Sequence, residues 1–141
     1  MYSICVPYIK NSDERYQWNY VFKNWNFNKI YFLCDVDLEE NLWASAPLLR
    51  NFNTITISSM SEISEALIYV TPKDSSVLKG VNNLTTFNHP EECCYAFGSN
   101  SYPYFTEIET GTTVYIDVID ELFSWCAASI VFYDRNMKNG N

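Results

Sequence analysis

The chain has 141 residues with 9 basic and 17 acidic side chains, a formal charge of −8 that excludes a basic nucleic-acid-binding surface spread over the whole molecule. Apolar residues at 48% and charged residues at 18% exclude disorder for the bulk of the chain. The length suits one domain over residues 1–141, with room for one site and not for separate catalytic and recognition domains.

The run Tyr2-Ser3-Ile4-Cys5-Val6-Pro7-Tyr8-Ile9 is apolar and rich in β-branched residues, and predicts a buried strand loosened at its far end by Pro7. Cap residues at Asn11-Ser12-Asp13-Glu14, then Tyr16, Tyr20, Val21 and Phe27 at helical spacing, predict a first helix over 13–26. A second strand follows over 29–34 and a helical stretch over 38–49, interrupted at Pro47. Asn53 to Ile57 reads as a short strand, and Ser59-Met60-Ser61-Glu62 as a cap before a brief helix over 62–66. Residues 67–70 form an apolar strand ending at Thr71-Pro72. Residues 73–87 are polar and mixed, with Leu78, Val81 and Leu84 spaced as helical anchors. Strands are expected again over 93–97 and 113–118, with a Pro103-containing loop over 101–107 between them. The longest helical pattern spans 121–136.

Strands alternating with helical segments predict an α/β domain with a mainly parallel sheet, because parallel strands need crossover connections. In such sheets ligands bind beyond the carboxyl ends of the strands. That directs attention to Thr71-Pro72, Gly98-Ser99-Asn100 and the turn from Val118 to Leu122.

Conventional site chemistry is sparse. The single His89 has Glu91, Glu92, Cys93 and Cys94 nearby, but neighbours on a strand point to opposite faces, so no metal site is expected. His89-Pro90 reads as a turn before a strand. No G-x-G-x-x-G or phosphate-binding loop occurs, and no nucleophile elbow. The five cysteines are an odd number, three of them in apolar runs, and read as reduced core residues. The first ten residues lack a basic n-region and no apolar run approaches a membrane span, so the chain reads as soluble and cytoplasmic.

Two segments resemble a known family. Phe87-Asn88-His89-Pro90-Glu91-Glu92-Cys93-Cys94-Tyr95-Ala96-Phe97-Gly98-Ser99-Asn100 resembles the second motif of the SpoU branch of the SPOUT methyltransferases. Val114 to Val118, followed by Leu122-Phe123-Ser124-Trp125-Cys126-Ala127-Ala128-Ser129 and on to Asp134, resembles the third, in the same order and spacing. The resemblance implies a C-terminal trefoil knot, a rare exception to unknotted topology, and a homodimer. It also implies S-adenosylmethionine held by three loops. These are Val70-Thr71, Gly98-Ser99-Asn100, and Ile116 through Val118 to Leu122, with Ala127 allowing close backbone approach. For the family's first-motif Arg, which acts near the ribose hydroxyl, the resemblance offers Lys23, with Arg15 as a substitute.

The implied activity is S-adenosylmethionine-dependent methyl transfer to a ribose 2′-hydroxyl of RNA. Lys10, Arg15, Lys23 and Lys29 would supply a local basic patch that the total charge does not. The chain departs from the family pattern with Asn100 in place of Glu, Asp117 in place of Pro, Phe123 in place of Asn and Trp125 in place of a small residue. Those departures and the acidic balance favour an alternative, a catalytically inactive protein of the same fold that binds S-adenosylmethionine or a protein partner.

Overall fold

The structure is a computed structural model that describes residues 1–7, 9, 11–34, 53–72, 81–98, 111–120 and 122–140. Its frame is a seven-stranded sheet: β1 (Tyr2–Pro7), β2 (Lys29–Leu33), β3 (Asn53–Ile57), β4 (Leu67–Val70), β5 (Val81–Asn83), β6 (Cys93–Ala96) and β7 (Thr112–Tyr115). Among the described residues there are also two helices, α1 (Ser12–Asn24) and α2 (Ser124–Asn139), and single 3-10 turns at Met60–Glu62 and Leu84–Thr86. The strand order is β3-β2-β1-β6-β4-β7-β5, and every pairing is parallel.

The continuous apolar runs have a direct cause: most of the sheet is covered on both faces, so both sets of alternating side chains are buried. Ile4, Val6, Ile30, Phe32, Ile68, Val70, Tyr95 and Phe97 point to one face, where Trp18, Val21 and Phe22 of α1 and Ala128, Val131 and Phe132 of α2 pack on them. Cys5, Tyr31, Tyr69, Cys94 and Ala96 point to the other, against Ile57, Ile63 and Met60. Cys5, Cys34, Cys93 and Cys94 are buried and Cys126 is half-buried; all five are free thiols.

Local chemistry sets the element ends. The Asn11 side chain accepts a hydrogen bond from the Glu14 amide at 2.9 Å and starts α1, which stops at Asn24, two residues short of the expected end. Gly140, at φ 75° and ψ 20°, closes α2 in a left-handed cap.

Several expectations are corrected. The helix expected over 62–66 is a single 3-10 turn over Met60–Glu62. The Glu62 carboxylate folds back onto the Ser58 and Ser59 amides, and Ile63 turns into the core. Val81 and Leu84 are not helical anchors: Val81 opens edge strand β5, and Leu84 begins a turn capped by Asn83. Strand β7 ends at Tyr115, before Val118, and α2 begins at Ser124, three residues later than expected. The helical stretch over 38–49 and the loop over 101–107 lie outside the described residues.

Gly111 shows why one glycine cannot be replaced. It has φ 107°, and a Cβ there would meet the Leu67 carbonyl oxygen and the Tyr69 ring at 2.9 Å each.

Candidate functional site

The three loops expected to hold a ligand follow strands that are neighbours in the sheet, in the order β6-β4-β7. The register aligns their ends: Tyr69 pairs with Ala96 on one side and with Thr113 on the other, and the Thr71 amide donates to the Val114 carbonyl at 3.0 Å. Val70-Thr71, Phe97-Gly98 and Tyr115-Ile116 therefore emerge side by side at the carboxyl edge. Segments distant in sequence meet there because each strand is reached by a crossover that returns to the same edge.

Val70 and Thr71 are buried, Ile116 packs against the core, Leu122 and Ala127 are half-buried, and Val118 is exposed. Ser99 and Asn100 lie outside the described residues. The Oγ1 of Thr71 and the Oγ of Ser124, the first residue of α2, are buried without a hydrogen-bond partner. A buried hydroxyl in that condition is costly unless something else bonds it. Thr71 thus leaves one unspent hydroxyl at the carboxyl end of β4. The indole Nε1 of Trp18 is also buried and unpartnered, on a ring 5.6 Å from that of Phe97.

Phe123 and Trp125 flank the start of α2. Their rings stack at 4.6 Å with 6° between planes; Trp125 leans on the core and Phe123 is 55% exposed. Ile119 is fully exposed in the same loop, and Asp117 and Asp120 are exposed beside it.

The structure separates the two basic candidates. Arg15 sits half-buried in the first turn of α1, which follows the carboxyl end of β1 and so borders the site edge. Lys23 is exposed in the last turn, about 12 Å farther along the helix axis at 1.5 Å per residue. The chain then returns to the amino edge, where the Asn28 amide bonds the Tyr2 carbonyl at 3.0 Å. Lys23 therefore stands at the end of the helix remote from the site. Nor do the basic residues form one patch. Lys29 is held by the Glu65 carboxylate and the Tyr31 hydroxyl on the opposite face of the sheet, and Lys10 lies outside the described residues.

His89, expected only to mark a turn, is buried with both ring nitrogens engaged: Nδ1 lies 2.7 Å from the Tyr95 hydroxyl and Nε2 2.7 Å from Asp134 Oδ2. Arg135, wholly buried, donates to Tyr95 at 3.0 Å and to the Pro90 and Glu91 carbonyls at 2.6 and 2.8 Å. This cluster precedes β6 and so lies at the amino edge, away from the candidate site. Its partners are some 45 residues apart in the chain, and no local pattern announces them. Among the described residues no group of three His, Cys, Asp or Glu side chains could hold a metal ion, and no helix is long and apolar enough to cross a membrane.

No family model matches the sequence, and no curated protein sequence does. Solved structures do match in fold. TrmJ from Z. mobilis ZM4 superposes with a TM-score of 0.67 at 13% identity, over 95% of this chain and 67% of that one. The A. aeolicus TrmH/SpoU tRNA modifying enzyme gives 0.69 at 9% identity, over 99% of this chain and 75% of that one. The SpoU methyltransferase AviRb from Streptomyces viridochromogenes, solved with AdoMet, gives 0.64 at 11% identity, over 97% of this chain and 60% of that one. The α/β fold of this chain is that of the SpoU-type RNA methyltransferases.

Proposed function

We propose that the chain binds S-adenosylmethionine at the β6-β4-β7 edge and transfers its methyl group to a ribose 2′-hydroxyl of RNA. The observation that carries this reading is the alignment of the three strand ends, with the unpartnered Thr71 hydroxyl on one of them. The likeness to SpoU-type structures, one of them an AdoMet complex, supports it. Val70, Thr71, Gly98, Ser99, Asn100, Ile116, Val118, Leu122 and Ala127 are the residues that would surround the cofactor, which supplies an electrophilic methyl group when bound. Arg15 is the side chain to steady negative charge growing on the attacking oxygen, since a guanidinium donates hydrogen bonds but does not take up a proton at working pH. The exposed face of Phe123 offers an unpaired base a surface to stack on.

The same reading carries the knotted threading of the C-terminal part and a homodimer. The second copy would cover Tyr16 and Tyr20 of α1 and Ile130, Tyr133 and Met137 of α2, large side chains left exposed on the two helices that share one face of the sheet. A cytoplasmic location fits the five free thiols. A second reading, a catalytically silent binder of S-adenosylmethionine or of a protein partner, is favoured by one observation: Asp117 and Asp120 stand exposed at the site, where they oppose phosphate.

Calorimetric titration with S-adenosylmethionine and S-adenosylhomocysteine, then methyl transfer to RNA and to its 2′-deoxy counterpart, tests these readings. Micromolar binding with transfer to RNA alone is expected. Binding without transfer selects the second reading, and absence of binding rejects both cofactor proposals.

A further inference from the structure

The cluster around His89 takes no part in the proposed site, yet its hydrogen bonds select one tautomer of the neutral ring. The Asp134 carboxylate can only accept, so the ring proton sits on Nε2 and is donated to Asp134 Oδ2. Nδ1 of the neutral ring then carries the lone pair, and the Tyr95 hydroxyl, whose oxygen accepts from Arg135 Nη1, donates its hydrogen there. Lys138 closes the array, its ammonium 2.9 Å from the same carboxylate oxygen and donating to the Leu84 and Phe87 carbonyls at 2.6 and 3.0 Å. Asn139 adds a bond to the His89 carbonyl at 3.3 Å. The last turns of α2 thus grip the segment from Leu84 to Glu91 through one neutral imidazole.

We propose that this array is a proton-sensitive clasp, in which protonation of His89 loosens α2 from the segment before β6 and so weakens the ligand site bordered by the first turn of α2. The part concerning the ligand rests on the function proposed above; the clasp itself does not. A proton on Nδ1 would set two donors against each other at 2.7 Å, and the other acceptor beside the Tyr95 hydroxyl is the Cys93 sulfur, a weak one. The new charge would also be poorly matched. From α2 the ring faces Asp134, already shared with Lys138, together with Arg135 and Lys138; from β6 it faces Tyr95 with Cys93. From β1 comes Tyr2, whose ring lies 4.7 Å from the Arg135 guanidinium. On its own segment are the Phe87 ring, edge-on at 5.1 Å, and the Glu91 carbonyl, which accepts from Arg135 and from the Met1 ammonium. Burial is the main influence on His89 and holds its pKa below 6.5, helped by Lys138 and Arg135 and opposed by Asp134.

The sign follows from linkage. A histidine depressed in the fold leaves the unfolded chain binding more protons, so its contribution is complete above about pH 6.5 and is lost as pH falls through the folded value. Each unit of that depression appears as a tenfold rise in opening at acid pH.

His89 is the single histidine of the chain, so its nitrogen chemical shifts can be followed without assignment ambiguity. The expected result is an Nε2-protonated ring that titrates below 6.5, with amide protection factors, the exchange rates corrected for the intrinsic rate at each pH, falling on acidification at both ends of α2. The His89→Gln variant is expected to keep its protection factors unchanged with pH. An Nδ1-protonated ring, a titration at or above 6.5, or the same pH dependence in His89→Gln overturns the clasp. Calorimetry with S-adenosylmethionine at about pH 7.5 and 5.5 separates the two ideas. Equal affinity at both pH values, with α2 loosened, overturns the link to the site. Absence of binding at both rejects the cofactor reading, and exchange and titration still decide the clasp.

Discussion

Two residues concentrate the cost of error. Gly111 is hemmed by a backbone oxygen and a ring, at a φ that side chains rarely adopt. Gly111→Ala is expected to cost about 1–3 kcal/mol in urea unfolding, the usual range for a residue forced into such backbone. Arg135 lies with its guanidinium among Tyr2, Tyr95 and two carbonyls, so Arg135→Ala empties a buried volume and removes the donor to the buried Tyr95 oxygen and to two part-buried carbonyls. About 3 kcal/mol or more should be lost, read by the same measurement. The thiols give an independent check. Burial lifts Cys5 well above its ordinary value and Cys94 up to about 12, so neither is reactive in the folded state. The native protein should therefore release one thiol rapidly to a disulfide reagent, at half-buried Cys126, and five after unfolding; two or more fast thiols in the native state would contradict this core.

At the scale of elements, strands were the readable part. Where both faces are covered, side chains at successive positions are all apolar, and such a run is visible without knowing its neighbours. Strand β5 carries no such signal, because Val81-Asn82-Asn83 is a polar edge with one pairing partner. Helix ends were legible where a side chain makes the cap, as at Asn11, and misplaced at α2, where Phe123 makes no side-chain cap bond. Asn11→Ala should accordingly weaken the fold by about 1 kcal/mol, seen as a lower thermal midpoint. The candidate loops could be named in advance because strand ends follow from strands. The position of Lys23 could not be judged in the same way, since only the return of the chain at Asn28 to Tyr2 reveals which end of α1 is remote. Lys23→Ala is therefore expected to leave methyl transfer unchanged, whereas Arg15→Ala should lower it with little change in cofactor affinity, measured by single-turnover transfer and calorimetry.

For the whole molecule, the exposed rings on α1 and α2 make association the natural test. Light scattering at micromolar concentration is expected to give twice the 16.4 kDa chain mass, and Tyr133→Glu, at a position 59% exposed, to return it to the single mass without unfolding. A second consequence comes from the centre of the sheet, where Tyr2 stands in register with Cys93. Partners from distant parts of the chain must find each other before β1 is flanked on both sides, and such high contact order slows folding. Stopped-flow refolding should therefore run in milliseconds to seconds, slower than for a helical domain of equal length. During synthesis the strand made first has one bare edge until residues 93–96 arrive, and in that interval it is open to pairing with another nascent chain.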